Sequence, residues 1–312
     1  MSTVPDISTI IVSWNTRDLL LACVDSLTRM TQVSQEIIIV DNASRDGSAE
    51  AARAQYPQAH IIQNPANRGY APANNQAIPL SRGRYLLLIN ADAEVLPNAV
   101  DRMVAFMESH PRCGVIGPRL LNTDGSLQPW TAGRFPSLWT ACQHFFFLDR
   151  ILPEGERSRG LYLRSDVREP REVDWVSSAC FLIRDEALRQ VGGLLDETYF
   201  AYMEDVALCE RMKRAGWQVW YTPTADVIHH MGQSTKRQTG RVSPNAIRSF
   251  HLFFQRRWGN AATRVLKVIE LLGYGMRMVI YGAGALALRH PRWREQAYVH
   301  YQYLRLVWGW PP

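Results

Sequence analysis

Tyr85-Leu86-Leu87-Leu88-Ile89-Asn90-Ala91-Asp92-Ala93-Glu94-Val95 is the stretch on which the fold turns. Five large apolar residues in a row, preceded by Arg84 and followed by acids, read as a central strand buried on both faces. The strand ends in Asn90, Asp92 and Glu94, and Pro97 then opens the next helix. In an open α/β sheet, ligands bind in the crevice outside the carboxyl ends of the strands. Acids on that rim suit a hard divalent cation with oxygen ligands. The plainer alternative is a junction whose Asp and Asn merely cap Pro97-Asn98-Ala99-Val100.

Upstream, three more strands precede this one: Thr9 to Trp14, Glu36 to Val40, and Ala59 to Gln63. Asn15-Thr16 starts a helix after the first, with Leu19, Leu20, Cys23, Val24 and Leu27 at helical spacing. Asp41-Asn42-Ala43-Ser44 and Asp46-Gly47-Ser48 follow the second, and Asn67-Arg68-Gly69-Tyr70 leads into a helix after the third. Strand and helix alternate as in βαβ units, so the expected class is α/β, a mostly parallel sheet covered by helices. Each strand ends in small polar or acidic residues, ordinary turn chemistry taken singly. Parallel strands bring these ends to one edge, which makes a ligand site. Neither GxxxxGK[ST] nor a GxGxxG after the first strand is present, so a metal would have to neutralise any diphosphate bound here.

Downstream, Cys113 to Gly117 is a further strand and Asn122-Thr123-Asp124-Gly125-Ser126 a hairpin turn. Residues 130–171 lose periodicity and are rich in Arg and aromatics, which reads as an insertion beside an acceptor or as a loop cover. Val173 to Arg184 is strand-like, and Trp175 offers a flat face for a sugar ring or a core side chain. Phe200-Ala201-Tyr202-Met203 leads into Glu204-Asp205 in the first turn of a helix, where acids suit the dipole, and Gly216 ends that helix. Ala225 to His230 is a strand running into Gly232 and Ser234.

Together these segments resemble family 2 glycosyltransferases, in particular rhamnosyltransferase-like members that build bacterial surface polysaccharides. The resemblance runs from about Ile7 to Ser234. It implies a GT-A fold, a nucleotide-diphosphate sugar donor (dTDP- or UDP-linked), Mg2+ or Mn2+, and inversion at the anomeric carbon. It implies that Asp41 reads the base, with Val12, Ser13, Trp14 and Asn15 against the nucleoside and Asn67 near the diphosphate or ribose. Asn90-Ala91-Asp92 takes the DxD position, with Asn in place of the first acid; Asp92 is then a metal ligand and Asn90 a neutral oxygen or ribose partner. Asp205 is implied as catalytic base, Glu204 as orienting the acceptor, Trp175 as lining the acceptor side, and Arg211 as a partner of the leaving diphosphate or of an acid. His229, with His230 as the alternative, is implied as a metal or diphosphate ligand.

Composition bounds the rest. Of 312 residues 46% are apolar, enough for a large core. Five scattered cysteines without metal spacing point to reduced core thiols in a cytoplasmic protein, and the N-terminus does not read as a signal peptide. The net charge of +6 conceals a basic region, residues 241–312, with 11 Lys+Arg against 2 Asp+Glu. The expected organisation is therefore a catalytic domain over 1–240 and a basic, aromatic-rich helical region over 241–312. Arg277 and its charged neighbours interrupt the apolar run, so this region reads as lying on the inner face of a membrane rather than crossing it. No nucleic-acid fold motif appears, and nucleic acid is not an expected partner. Gly282-Ala283-Gly284 reads as a small-residue helix face. The expected activity is transfer of rhamnose or a similar hexose to a hydroxyl of a saccharide acceptor, with a lipid-linked acceptor expected. The alternatives are a sugar nucleotidyltransferase and an inactive sugar-nucleotide-binding protein.

Overall fold

A computed structural model describes residues 4–152, 160–163, 167–230, 243–288 and 291–309. The chain divides into two compact units: Met1–Gly133 with Tyr162–Gln238, and Arg134–Leu161 with Thr239–Pro312. The second unit thus takes in most of the aperiodic stretch after Trp130.

The first unit is built on one mixed sheet. Its strands are β1 (Ile7–Ser13), β2 (Gln35–Asp41), β3 (His60–Gln63), β4 (Tyr85–Asn90), β5 (Ala93–Val95), β6 (Cys113–Leu121), β8 (Arg171–Val173), β10 (Cys180–Arg184) and β11 (Gln218–His229). They run in the order β3-β2-β1-β4-β10-β6-β11-β5, with β8 also on β11. Strands β3, β2, β1 and β4 are parallel, and β10 is antiparallel to both β4 and β6. Short strands β7 (Ala132–Gly133) and β9 (Trp175–Val176) pair separately. The apolar run Tyr85–Ile89 is buried throughout, as its composition requires of a strand covered on both faces.

The helices are α1 (Arg17–Met30), α2 (Ser48–Gln55), α3 (Tyr70–Asn75), α4 (Ala99–Ser109), α5 (Leu138–Phe145), α6 (Leu148–Ile151), α7 (Asp185–Gln190), α8 (Glu204–Arg214), α9 (Pro244–Leu288) and α10 (Pro291–Gly309). Leu20, Cys23, Val24 and Leu27 of α1 and Val100, Met103 and Met107 of α4 pack into one core with the strands.

Two differences from the sequence reading shape the site. Pro97 does not open a helix: Ala93–Val95 forms β5, and α4 starts only after the left-handed Asn98 (φ 59). Val173–Arg184 is not one strand. It breaks at Ser177-Ser178-Ala179, whose polar groups leave the ladder for other partners.

The second unit is helical. Gly259, at φ 81, breaks α9 into two segments. Gly273 lets α9 approach α5, since a Cβ there would meet Phe145 at 2.6 Å. Arg277 donates to the carbonyls of His144 and Phe145 and lies over the Phe147 ring at 4.3 Å. Gly284 sits under the Trp293 ring, which explains the small-residue face, and Tyr274 stacks on Tyr303 of α10. The outward residues Val265, Val268, Leu272, Val279 and Leu286 are between 48% and 80% exposed. Among the described residues α9 alone is long and apolar enough to cross a membrane, so composition permits spanning where the sequence reading leaned against it.

At the amino end of the sheet, Ser8 Oγ donates to Glu36 Oε1 (2.5 Å) and accepts from the amides of Arg82 and Gly83. Arg82 also grips the Glu36 carboxylate through its guanidinium. A Cβ on Gly83 would lie 2.4 Å from the Ser8 nitrogen, against backbone that cannot yield. Gly83→Ala should therefore destabilise the protein by about 3 kcal/mol in urea unfolding. Gly125→Ala, left-handed (φ +79) but facing open space, should cost only about 1 kcal/mol.

Candidate active site

Register builds the first part of the site. Val12 of β1 lies opposite Val40 of β2 and Asn90 of β4, and Ser13 lies opposite Asp41. The five residues therefore end on one sheet edge. Beyond it Asn15, at φ 55, donates its amide to Ser44 Oγ (3.0 Å) and accepts from the Arg45 amide through Oδ1 (2.7 Å), tying the loops after β1 and β2 together. Trp14 is half-buried beside it. Asp41 is buried; one oxygen accepts from the Ser44 amide and the other has no partner. An unsatisfied buried carboxylate oxygen is costly unless a ligand donor meets it.

Asn67 lies exposed in the loop between β3 and α3. Its Oδ1 accepts from Asn42 Nδ2 and from the Gly69 amide, so it shapes the turn into α3. The hub is Asn42, which also accepts from Asn64 and from the Arg68 amide. Nothing in the sequence separates Asn42 from its neighbouring asparagines.

The short strand β5 brings the next pair together. It runs antiparallel to the end of β11, with Ala93 opposite His229, and the His230 amide donates to the Asp92 carbonyl (2.8 Å). His229 Nε2 consequently lies 3.3 Å from Asp92 Oδ1 and 3.4 Å from Asn90 Nδ2. His230 turns instead to Glu94, at 2.6 Å. Of the two histidines, then, His229 is the one at Asp92. Gly232 and Ser234 lie outside the described residues. Asn90 Oδ1 is buried without a partner, and Ala91 is buried between it and Asp92.

A carboxylate, an imidazole nitrogen and an unsatisfied amide oxygen fit a divalent cation of the Mg2+ or Mn2+ kind. No group of three His, Cys, Asp or Glu side chains gathers among the described residues. A cation here would draw its remaining ligands from phosphate oxygens and water.

The acid pair arrives from α8. Tyr202 and Met203 both take left-handed backbone (φ 67 and 71), an expensive conformation for side chains of that size. It delivers Glu204 and Asp205 into the first turn of α8. Asp205 Oδ2 accepts from the Ser178 amide (3.1 Å) and Oδ1 from the Val206 amide (2.8 Å). Glu204, only 5% exposed, accepts from Ser178 Oγ at 3.4 Å, and its other oxygen has no partner. Burial, reinforced by the neighbouring Asp205, pushes Glu204 up to about 8. Burial also raises Asp205, against the opposing pull of the Ser178 and Val206 amides.

The break at Ser177–Ala179 joins the two halves. Ser178 holds Asp205, while the Ala179 carbonyl accepts from the Asn90 amide (3.0 Å). The Tyr70 hydroxyl donates to the Ser178 carbonyl (3.0 Å), and its ionisation is pushed up by burial and then by the charges of Glu204, Asp205 and Asp92. Asp92 and Asp205 therefore both lie within electrostatic reach of one phenol. Ser178 and Tyr70 escape sequence reasoning because serine and tyrosine at strand and helix ends are commonplace.

Two expectations need correction. Trp175 is 6% exposed and packs edge-on against Tyr162, so it is a core ring with no face for a sugar. Trp130, half exposed at the far side of Tyr162, is the open aromatic there. Arg211 spends its guanidinium on the carbonyls of Val191, Gly193 and Leu194, and so holds a loop rather than a diphosphate or an acid.

The sheet order, the polar edge at the ends of β1, β2 and β4, and the acid pair opposite them define a glycosyltransferase of the GT-A type. Two solved structures share this fold. One is the mannosyltransferase PcManGT from Pyrobaculum calidifontis in complex with GDP-Man and Mn2+ (TM-score 0.55, 14% identity, covering 98% of this chain and 86% of that one). The other is GalNAc-T7 with UDP, GalNAc and Mn2+ (TM-score 0.54, 18% identity, 73% of this chain and 44% of that one). The chain belongs to glycosyl transferase family 2, whose model matches residues 8–192. It is 33% identical over 255 residues to the N-acetylglucosaminyl-diphospho-decaprenol L-rhamnosyltransferase of Mycobacterium tuberculosis, covering 77% of this chain and 81% of that protein. A low-salt glycan biosynthesis hexosyltransferase of Haloferax volcanii is 26% identical over 234 residues, 72% of this chain and 67% of that protein.

The raised Glu204 carboxyl sets a pH dependence. Its folded-state value lies above the unfolded one, so the folded protein holds the proton longer and stability falls as pH rises between them. Metal-free protein should therefore lose stability from about pH 5 to pH 8, by on the order of a few kcal/mol. Glu204→Gln should flatten that slope in urea titrations run at successive pH values. An equal slope in the variant would place the effect elsewhere.

Proposed function

We propose that the enzyme moves rhamnose or a similar hexose from a dTDP- or UDP-linked donor to a hydroxyl of a lipid-linked saccharide. The observation that carries this reading is Ser177–Ala179, which bonds to Asp205 on one side and to Asn90 on the other. The mycobacterial relative, whose name specifies a rhamnosyl transfer onto a lipid diphosphate-linked sugar, supports the choice of donor and acceptor.

The residues divide the work. Asp41, with its free oxygen, receives an N–H of the base, while Val12 to Asn15 floor the nucleoside. Asp92 and His229, with Asn90, would hold Mg2+ or Mn2+, which when bound would offset the charge on the donor diphosphate. Asp205 accepts the proton of the acceptor hydroxyl, whose oxygen bonds to C1 from the face opposite the diphosphate. The C1–O bond to phosphate breaks as that bond forms, so the configuration inverts and nucleoside diphosphate departs. A carboxylate with raised proton affinity is the better base, and burial is what raises Asp205. Phe200, Tyr202 and Trp130, all exposed, give the acceptor apolar rims.

Basic residues and the outward stripe of α9 support docking of the second unit on an anionic membrane at the cytoplasmic face, where a lipid-linked acceptor is presented.

The first test is metal-dependent release of nucleoside diphosphate from a panel of donors, with N-acetylglucosaminyl diphospholipid as acceptor. Asp205→Asn should keep donor affinity and lose about 10²–10⁴-fold in turnover; near-normal transfer would end its assignment as base. Asp92→Ala should remove the metal dependence of donor binding by calorimetry, and unchanged dependence would contradict its place as ligand. For the membrane, the full chain should pellet with vesicles containing anionic lipid and not with neutral ones. Val268→Glu with Leu272→Glu should weaken pelleting about tenfold or more, each buried side chain being worth about 1.5–3 kcal/mol. Unchanged pelleting would remove α9 from the contact.

A further inference from the structure

We propose that Gln128 is a positioning residue that fixes the tautomer of His229, so that Nε2 presents its lone pair to the divalent cation. The proposal rests on the reading of Asp92 and His229 as cation ligands.

Gln128 is buried, and its backbone is held at both ends. Its amide donates to the Leu120 carbonyl (3.0 Å), and its own carbonyl accepts from Thr131 Oγ1 (2.9 Å). The side-chain Nε2 donates to the His229 carbonyl at 2.6 Å and to the Leu121 carbonyl at 3.4 Å. Both partners are carbonyl oxygens, which only accept, so the amide cannot turn over without setting oxygen against oxygen. Oε1 is therefore the atom that faces His229 Nδ1, at 3.0 Å. It too can only accept, and so Nδ1 carries the proton.

In a neutral imidazole the lone pair is then on Nε2. That nitrogen faces the Asn90 Nδ2 donor at 3.4 Å and lies 3.3 Å from Asp92 Oδ1, with which it shares no proton. The opposite tautomer would donate Nε2–H to Asp92, closing the pair into an ordinary hydrogen bond with no lone pair left for a metal. Gln128 removes that option. Such a second partner on a ligating histidine fixes ring and tautomer together. A glutamine that merely filled space after the Asn122–Ser126 turn would not need both ends of its amide on residue 229.

The test begins with metal-free, ¹⁵N-histidine-labelled protein at pH 8. Multiple-bond NMR correlations should show His229 protonated at Nδ1; a proton on Nε2 in the wild type would overturn the proposal whatever the variants do. Mn2+ affinity, read from free Mn2+ by EPR, should fall about 10–100-fold in Gln128→Leu. In the His229→Ala background the same substitution should add no further loss, because Gln128 acts through the imidazole. A further loss there would mean a general structural role and would also overturn it. If the wild type bound no Mn2+ yet transferred sugar, the cation reading itself would fail and the proposal with it. Tight Mn2+ binding with the other tautomer would sink only the role of Gln128.

Discussion

Gathering carboxylates where water is scarce is the constraint around which the first unit is arranged. Asp41, Asp92 and Glu204 are buried and Asp205 is half-buried, at or beside the ends of strands that end together. Removing charges from water costs several kcal/mol each unless hydrogen bonds or opposite charges compensate. Here the compensation is incomplete, since Asp41 and Glu204 each keep an oxygen without a partner. Glu36, also buried in the same unit, is by contrast met by Ser8 on one oxygen and by Arg82 on both. An oxygen left without a partner at Asp41 and at Glu204 is what the proposed substrate would meet.

Rigidity at the crevice comes from backbone rather than from side-chain pairs. Two consecutive left-handed residues precede the acid pair, and α8 ends in a left-handed glycine, Gly216, with the Trp217 amide returned to the Met212 carbonyl. Arg211, fastened to the carbonyls of the 191–194 loop, fixes α8 from its other side. The strain at Tyr202 and Met203 is tolerated because α8 is held along its length.

How much of this was legible depended on the range of the interaction. Strands β1, β2 and β4 are apolar runs, and periodicity alone placed them and the polar residues at their ends. The acid pair was legible as a helix start. Strand β5 was not, because three residues carry no periodicity and Pro97 argued for a helix directly after Asp92. Without β5 the choice between His229 and His230 could not be made, for it is the ladder with β11 that decides which ring turns toward Asp92. Trp175 misled for a related reason: a tryptophan beside Ser177-Ser178 looks the same in sequence whether its ring faces a cleft or Tyr162. Gln128 left no local signal at all, since its meaning lies in a residue 101 positions away.

Asn90, in the place of a first acid, becomes intelligible once the ring opposite it is neutral. Two carboxylates would cancel the charge of a divalent cation and leave it little attraction for a diphosphate. With Asp92 as the only anion, a neutral His229 and a neutral Asn90, the cation would keep about one unit of positive charge directed at the donor. Near a buried strand end, where screening is weak, that residual charge counts for more than it would in water.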